Sequence, residues 1–191
     1  MCSSDLTLAV NPIQLGLYYG ANRIYKAFNS LFSPISFSFF PIISSIGDEH
    51  LNKKKQLLKN YFVLIFSFGL LFFLIIFFFS EKIILIILGK EFLASSQILK
   101  LFGIVLPLTA ISNVLGRQWL MSMNKDSVYL VSQIFSISIA FITFFVLVER
   151  YGVLAFPISL VFFEIFTILT IIIFFVINDK KKIGRAPRLN S

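Results

Sequence analysis

Arg23, Lys26 and Glu164 are ionisable side chains that lie within long apolar stretches of this sequence. Charged groups are costly in hydrocarbon, so inside membranes they usually meet water, an opposite charge or an anionic ligand. The two cations belong to a polar series with steps of four, three, four and three residues, which forms one stripe on a helix. We call it the polar stripe, and its members are Tyr19, Arg23, Lys26, Ser30 and Ser33.

The depth of Arg23 and Lys26 has two interpretations. If the bilayer begins near Ala27, the charge-free run after it spans the membrane and both cations reach back to the interface. If the helix enters near Ile13, the cations lie ~15 to 20 Å deep, close to the middle of the membrane. The pattern alone leaves both open.

Glu164 interrupts an apolar run that otherwise extends from Tyr151 to Asn178. A carboxyl group at that depth is protonated, paired with a cation, or facing water. A structural ion pair and a role in proton or sodium coupling both remain open, and Arg23 or Lys26 would be the natural partner.

Further polar residues occur in the apolar segments. Tyr19, Ser30 and Asn113 are candidates for the lining of a cavity. We interpret Arg117 as a boundary residue that reaches phosphate head groups.

The composition predicts an all-α integral membrane protein, since 58% of the residues are hydrophobic and only 14% are charged. Its apolar runs are long enough for helices and lack the short alternating segments of a barrel. Five transmembrane helices are predicted at about 13–44, 60–79, 99–119, 128–148 and 154–177, with an interfacial segment at 82–93.

The first of these helices is unusually long. At 1.5 Å per residue it would measure roughly 45 Å against a hydrocarbon core of ~30 Å. It must therefore tilt, kink at Pro34, or project beyond the bilayer.

Basic residues are concentrated in short segments between the apolar runs, which indicates topology rather than nucleic-acid binding. The lysine-rich loop around residues 53–59 and alternate loops after it carry most of them. This predicts a cytoplasmic C-terminus, with residues 179–191 as a basic cytoplasmic tail and residues 7–178 as the transmembrane region.

Residues 2–6 can be encoded by the end of a common sequencing adaptor. We interpret residues 1–6 as non-native, with the reading frame cut at its 5′ end. They also lack the features of a signal peptide.

No enzymatic motif is recognisable. The single Cys2 and the single His50 form no metal-ligand or nucleophile pattern, and no nucleophile elbow, phosphate loop or catalytic carboxylate pair occurs. We expect no catalytic residue, no metal and no cofactor.

The segment LGLYYGANRIYKAFNSLFSPISFSFFPIISS resembles a helix of the polysaccharide flippases, with its Gly-x-Tyr-x-x-Ala start, basic residue and terminal Phe-Pro. ILGKEFLASSQILKLFGIVLPLTAISNVLG and LVERYGVLAFPISLVFFEIF resemble later parts of the same proteins. Together these matches point to the Wzx-type O-antigen flippases, in the superfamily that includes the MATE-like multidrug antiporters.

The resemblance implies most of the C-terminal lobe of a twelve-helix flippase of the bacterial inner membrane. Its substrate would be a polyprenyl-pyrophosphate-linked oligosaccharide, and its partners the bilayer and an N-terminal lobe of the same polypeptide. Arg23 and Lys26 would face the central cavity and bind the pyrophosphate. The open alternatives are a small-molecule ion-coupled antiporter, an enzyme of polysaccharide assembly and a non-catalytic membrane subunit.

Overall fold

The described part of the chain is built from helices. The computed structural model describes residues 12–46 and 50–183. Its six α-helices are α1 (Pro12–Ser30), α2 (Phe32–Ser44), α3 (Leu51–Ile87), α4 (Ser95–Ser112), α5 (Asp126–Tyr151) and α6 (Ala155–Ile183). A π-helical segment, Asn113–Leu120, extends α4, and a short 3-10 turn joins α5 to α6. These residues contain no strand, so the predicted all-α class is confirmed.

Four helical runs in the described residues are long and apolar enough to cross a membrane, judged by length and composition. They are Pro12–Ser44, Asn52–Ile87, Ser95–Met123 and Asp126–Ile177. The sequence predicted five spans, and the difference lies in the last run, which is 52 residues long and contains α5 and most of α6. These features indicate a multi-pass membrane protein.

The turn between α5 and α6 depends on Gly152. Its φ of 55° and ψ of −128° form a backbone conformation that residues with side chains rarely adopt. Beyond this turn α6 packs against α5. The last apolar run is therefore two packed helices rather than one straight rod, which would measure about 78 Å.

The first run is interrupted at Leu31. The amide of Leu31 bonds to the carbonyl of Phe28 at 3.2 Å, which closes a tighter turn before α2 begins. Pro34 explains the position, since proline lacks the N–H that would bond to the carbonyl of Ser30, four residues earlier. Of the three alternatives of tilt, kink at Pro34 and projection, the structure shows an interruption, and it lies three residues before Pro34.

The structure differs from the prediction at the end of α3. This helix has 37 residues, so residues 82–87 are its last turns rather than part of a separate segment at 82–93. The charges there do not end the helix because they are exposed, and Glu81 pairs with Lys100 of α4 at 3.7 Å. Gly89, with φ of 93°, lies just past the end of the helix.

The lysine-rich segment is also helical rather than a loop. Lys53, Lys55 and Lys59 are exposed on the first turns of α3, whereas Lys54 is buried. The Lys54 ammonium donates a hydrogen bond of 2.8 Å to the carbonyl of Ser122, which ties α3 to the segment before α5.

Helix α4 lies at the centre of the bundle and packs against α1, α3 and α6. Its buried face includes Phe102, whose ring stacks on Tyr25 of α1 with centroids 4.7 Å apart. Gly69 of α3 lets the two backbones approach, because a Cβ there would lie 3.1 Å from the Cα of Pro107. This central position lets α4 and its π-helical extension carry polar side chains into the interior.

Candidate functional site: a polar stripe and a polar pocket

The polar stripe lies on the outer surface of the bundle. Tyr19, Arg23, Lys26 and Ser30 are exposed on α1, and Ser33 is exposed at the start of α2. The opposite face of α1 carries the buried residues Ala21, Ile24 and Tyr25. The stripe therefore points away from the rest of the described chain.

The two cations of the stripe have no acidic partner in the described residues. Neither Arg23 nor Lys26 forms an ion pair there, whereas the Ser30 hydroxyl donates to the carbonyl of Ala27 at 2.8 Å. The Tyr19 side chain is 58% exposed and packs edge-on against Tyr18, with centroids 5.5 Å apart. Both positive charges are thus available to groups outside this part of the chain.

A second polar feature is a partly enclosed pocket of about 260 Å³, which we call the polar pocket. Side chains from α1, α2, α4, the π-helical segment, α5 and α6 contribute to it. Its lining is Asn29, Phe32, Ser33, Ser36, Thr109, Ser112, Asn113, Arg117, Tyr129, Gln133, Phe163 and Glu164. Such a concentration of polar groups between apolar helices is typical of functional sites in membrane proteins.

Glu164 is the buried acid of the polar pocket. It is only 7% exposed, and its Oε1 accepts a hydrogen bond of 2.8 Å from the Thr109 hydroxyl. Its Oε2 is buried without a hydrogen-bond partner among the described residues. A buried acceptor without a partner is unfavourable, so this oxygen is suited to bind a proton, a water molecule or a cation that enters the pocket.

The expected pairing of Glu164 with Arg23 or Lys26 is wrong for the described structure. Those cations lie on the outer face of α1, whereas Glu164 points into the bundle. Thr109 takes the place of the predicted partner, and Arg117 is the cationic residue that lines the same pocket.

Of the three candidates for the lining of a cavity, Asn113 lines the polar pocket, at the start of the π-helical segment, whereas Tyr19 and Ser30 do not line it. Arg117, which we interpreted from the sequence as a boundary residue that reaches phosphate head groups, is half-buried beside the pocket. Segments of π-helix are rare and occur frequently at functional sites, which adds weight to this position.

Thr109 and Tyr129 line the pocket but were not predicted from the sequence, although their spacing to other polar residues carried a signal. Thr109, Asn113 and Arg117 recur every four residues along α4 and its extension, which places them on one face. Tyr129 and Gln133 show the same spacing on α5. Polar residues at this spacing within an apolar helix predict a common polar environment.

The stripe and the pocket are neighbours. Ser33 belongs to both, since it is exposed in the stripe and also lines the pocket. The interruption at Leu31 lies between Asn29 and Ser33, two lining residues that it places on different helices. A ligand bound at the stripe would therefore lie close to the entrance of the pocket.

Together, fold and site define a helical protein of the multi-pass membrane class with polar groups on and between its apolar helices. Within the described residues no group of three or more His, Cys, Asp or Glu side chains comes together. Comparison of the chain with protein-family models, curated proteins and solved structures gave no match.

Proposed function

We propose that this chain is one lobe of a flippase that moves a polyprenyl-pyrophosphate-linked oligosaccharide across the bacterial inner membrane. The observation that supports this most directly is the exposure of Arg23 and Lys26, without an acidic partner in the described residues, on a membrane-length helical run. The substrate, the membrane and the orientation follow from the family resemblance of the sequence.

A cation at the centre of a transmembrane helix costs about 2.5–3.5 kcal/mol on insertion scales, so it rarely faces lipid. We assign the deeper of the two placements: if the helical run enters the membrane at Pro12, Arg23 lies about 16 Å and Lys26 about 21 Å along it. The stripe then faces a water-filled cavity that a second lobe would close.

An anionic ligand suits this stripe. A pyrophosphate group cannot cross hydrocarbon unaided, whereas fixed cations in a wet cavity stabilise it. Arginine binds phosphate oxygens in a bidentate manner, and lysine supplies a compact positive charge beside it. The lipid tail of the substrate would stay in the bilayer while its head group passes along α1.

The proposal includes five membrane crossings. Helices α5 and α6 have 26 and 29 residues, and about 20 residues suffice to cross the hydrocarbon core. Because the two helices pack against each other across the Gly152 turn, we assign each of them one crossing. An odd number of crossings agrees with entry from outside and a cytoplasmic C-terminus.

Glu164 supplies a second element of the mechanism. We assign its unpartnered Oε2 the role of binding the coupling ion, a proton or sodium, next to the substrate path. Transport by the complete protein should then fall in a Glu164→Gln variant, and unchanged transport would remove this role.

The small-molecule antiporter is the second candidate, and the polar pocket also suits it. The two candidate functions give the stripe different roles, because the positive charges of Arg23 and Lys26 would not help to bind a cationic drug. A drug-transport activity that survives Arg23→Gln would favour the antiporter.

Binding of polyprenyl pyrophosphate to the full chain in lipid nanodiscs tests the proposal. The double variant Arg23→Gln/Lys26→Gln should bind about tenfold or more weakly, because hydrogen bonds to charged groups are worth about 1.5–3 kcal/mol each. The matched control is Lys53→Gln/Lys55→Gln, which removes the same charge from two exposed positions on α3. An equal loss in both variants, or equal binding of the uncharged polyprenol, would refute the proposal.

The genomic sequence upstream of Thr7 gives an independent test. An in-frame continuation with further apolar spans would supply the second lobe and allow Arg23 and Lys26 to be tested in an export assay. If a stop codon instead lies upstream of a genuine start codon at Met1, a separate partner subunit would have to supply the second lobe.

A further inference from the structure

A groove between α5 and α6 lies outside the stripe and the polar pocket. Its volume is about 490 Å³, within the range of about 300–1,000 Å³ that small-molecule sites occupy. Its lining is Ser127, Val128, Val131, Ser132, Phe135, Thr170 and Phe174. Val131 and Phe135 are 66% and 51% exposed, so the groove opens on the outer surface of the bundle.

The walls of the groove are mainly apolar. The Ser132 hydroxyl donates to the carbonyl of Tyr129 at 2.7 Å, and the Thr170 hydroxyl donates to the carbonyl of Phe166 at 2.8 Å. Because these hydroxyls are already bonded within their own helices, the walls present mainly methyl groups and aromatic rings. Such a surface suits an acyl chain and not a sugar.

The length of the groove fits one leaflet. Ser127 and Phe135 are eight residues apart on α5, which corresponds to about 12 Å. Half of the ~30 Å hydrocarbon core is roughly 15 Å. A chain lying in this groove would therefore belong to a lipid of a single leaflet.

A positive charge lies at one end of the groove. The ammonium of Lys125 is 5.4 Å from the centroid of the Phe174 ring, and Lys125 directly precedes α5. Helix α6 continues past Phe174 through residues 180–182, all of which are lysine, about 9–12 Å further along its axis. Asp126 is exposed at the same end and partly offsets this charge.

From this arrangement we propose that the α5–α6 groove binds an anionic phospholipid, with one acyl chain in the groove and the head group at Lys125. Basic residues beside a membrane attract anionic lipids by about 1 kcal/mol each, and an apolar groove beside the charge adds a place for the tail. This site would operate whatever the chain transports.

A second copy of the chain fits the groove less well. A two-fold axis along the membrane normal would bring Lys125 of both copies to the same depth, so like charges would face each other. A neutral lipid would fill the groove but leave Lys125 without a counter-charge.

Quenching by brominated lipids tests the proposal in the full chain. Trp119 is the only tryptophan, so the variant Trp119→Phe/Phe135→Trp places a single fluorophore in the wall of the groove. Vesicles contain equal amounts of phosphatidylglycerol and phosphatidylcholine, and one of the two carries bromine on its acyl chains. We expect brominated phosphatidylglycerol to be preferred about fivefold at this reporter.

Four further variants make the result specific. Trp119→Phe/Phe141→Trp moves the fluorophore to an exposed position on α5 beyond the groove, where no preference is expected. In the groove reporter, Lys125→Gln should abolish the preference and Asp126→Asn should raise it, whereas Lys90→Gln at an exposed distant position should leave it unchanged.

Equal quenching by the two brominated lipids, or a preference that survives Lys125→Gln, would overturn the assignment. Absence of quenching by either lipid would show that protein covers the groove and would overturn it as well.

Discussion

The hydroxyl of Thr109 donates a hydrogen bond of 2.8 Å to Glu164 and thereby joins α4 to α6 at the polar pocket. The two residues are 55 positions apart in the sequence, so the bond exists only in the assembled bundle. It satisfies one carboxyl oxygen and leaves the other unpartnered among the described residues. The same contact therefore stabilises the helix pair and orients the group to which we assign ion binding.

A double-mutant cycle on Thr109→Val and Glu164→Gln should measure a coupling energy of about 0.6 kcal/mol, and at most ~1.7 kcal/mol. Hydrogen bonds between membrane helices fall in this range because the unfolded chain in the membrane also finds partners. The measurement is reversible unfolding in mixed micelles. The control cycle pairs Thr109→Val with Ser159→Ala, whose hydroxyl bonds within α6, and it should be additive. Coupling of equal size in both cycles would contradict the geometry.

Substitution of Gly69 by valine should destabilise the bundle by about 1–3 kcal/mol, the usual cost of overpacking. A Cβ at Gly69 would lie 3.1 Å from the Cα of Pro107 and 3.2 Å from the carbonyl oxygen of Leu106, and backbone atoms yield less readily than side chains. Thermal unfolding in detergent measures the effect.

Gly16→Val is the matched control for Gly69→Val. A Cβ at Gly16 would have no neighbour within 4 Å, so this change should alter the unfolding temperature little. If both variants lose the same stability, helix propensity rather than the contact between α3 and α4 would explain the loss.

The helical class could be predicted from the sequence because long charge-free runs in a chain of this composition leave few alternatives. Helix ends were harder to predict. Glu81 and Lys82 suggested the end of a span, yet both are exposed on a helix that continues to Ile87. A charge ends an apolar run in the sequence without ending the hydrogen-bonded helix, and Gly89 marks the end more reliably.

The site was predictable in part. The spacing of Arg23 and Lys26 placed them on one face of a helix, but only the packing of Ala21, Ile24 and Tyr25 shows that this face points outward. The partner of Glu164 could not be predicted, because the sequence alone does not reveal which helices pack against each other. Attraction between charges favoured Arg23 or Lys26, and helix packing instead brought the neutral Thr109 into contact.

Variants of Gln118 would measure how much a buried amide between α2 and the π-helical segment contributes to stability. Its Nε2 donates to the carbonyl of Ser36 at 2.9 Å, whereas its Oε1 is buried without a partner among the described residues. Gln118→Leu loses one bond and also removes the unpartnered acceptor, so stability should change by less than about 1 kcal/mol.

Gln118→Glu keeps the shape of the side chain but replaces its donor by an oxygen. It should cost about 1–3 kcal/mol, because the new carboxyl group either stays ionised and faces the carbonyl of Ser36 as a second buried acceptor, or must bind a proton at neutral pH to donate that bond. Unfolding of both variants in the same detergent makes the comparison. If Gln118→Leu were the more damaging change, the amide would have a partner that the described residues do not contain.

Labelling of introduced cysteines should reveal whether the stripe faces water. In a background from which other cysteines have been removed, Arg23→Cys and Lys26→Cys should react with a membrane-impermeant maleimide, since a thiol reacts as the solvated thiolate. Placing the changes in the chromosomal gene keeps any further part of the polypeptide present.

Ile142→Cys is the control, because this 63% exposed residue lies in the middle of the apolar helix α5 and should react only after detergent is added. Protection of positions 23 and 26 to the same degree as position 142 would mean that the stripe is covered by lipid or protein, and the cavity on which the flippase proposal depends would be absent.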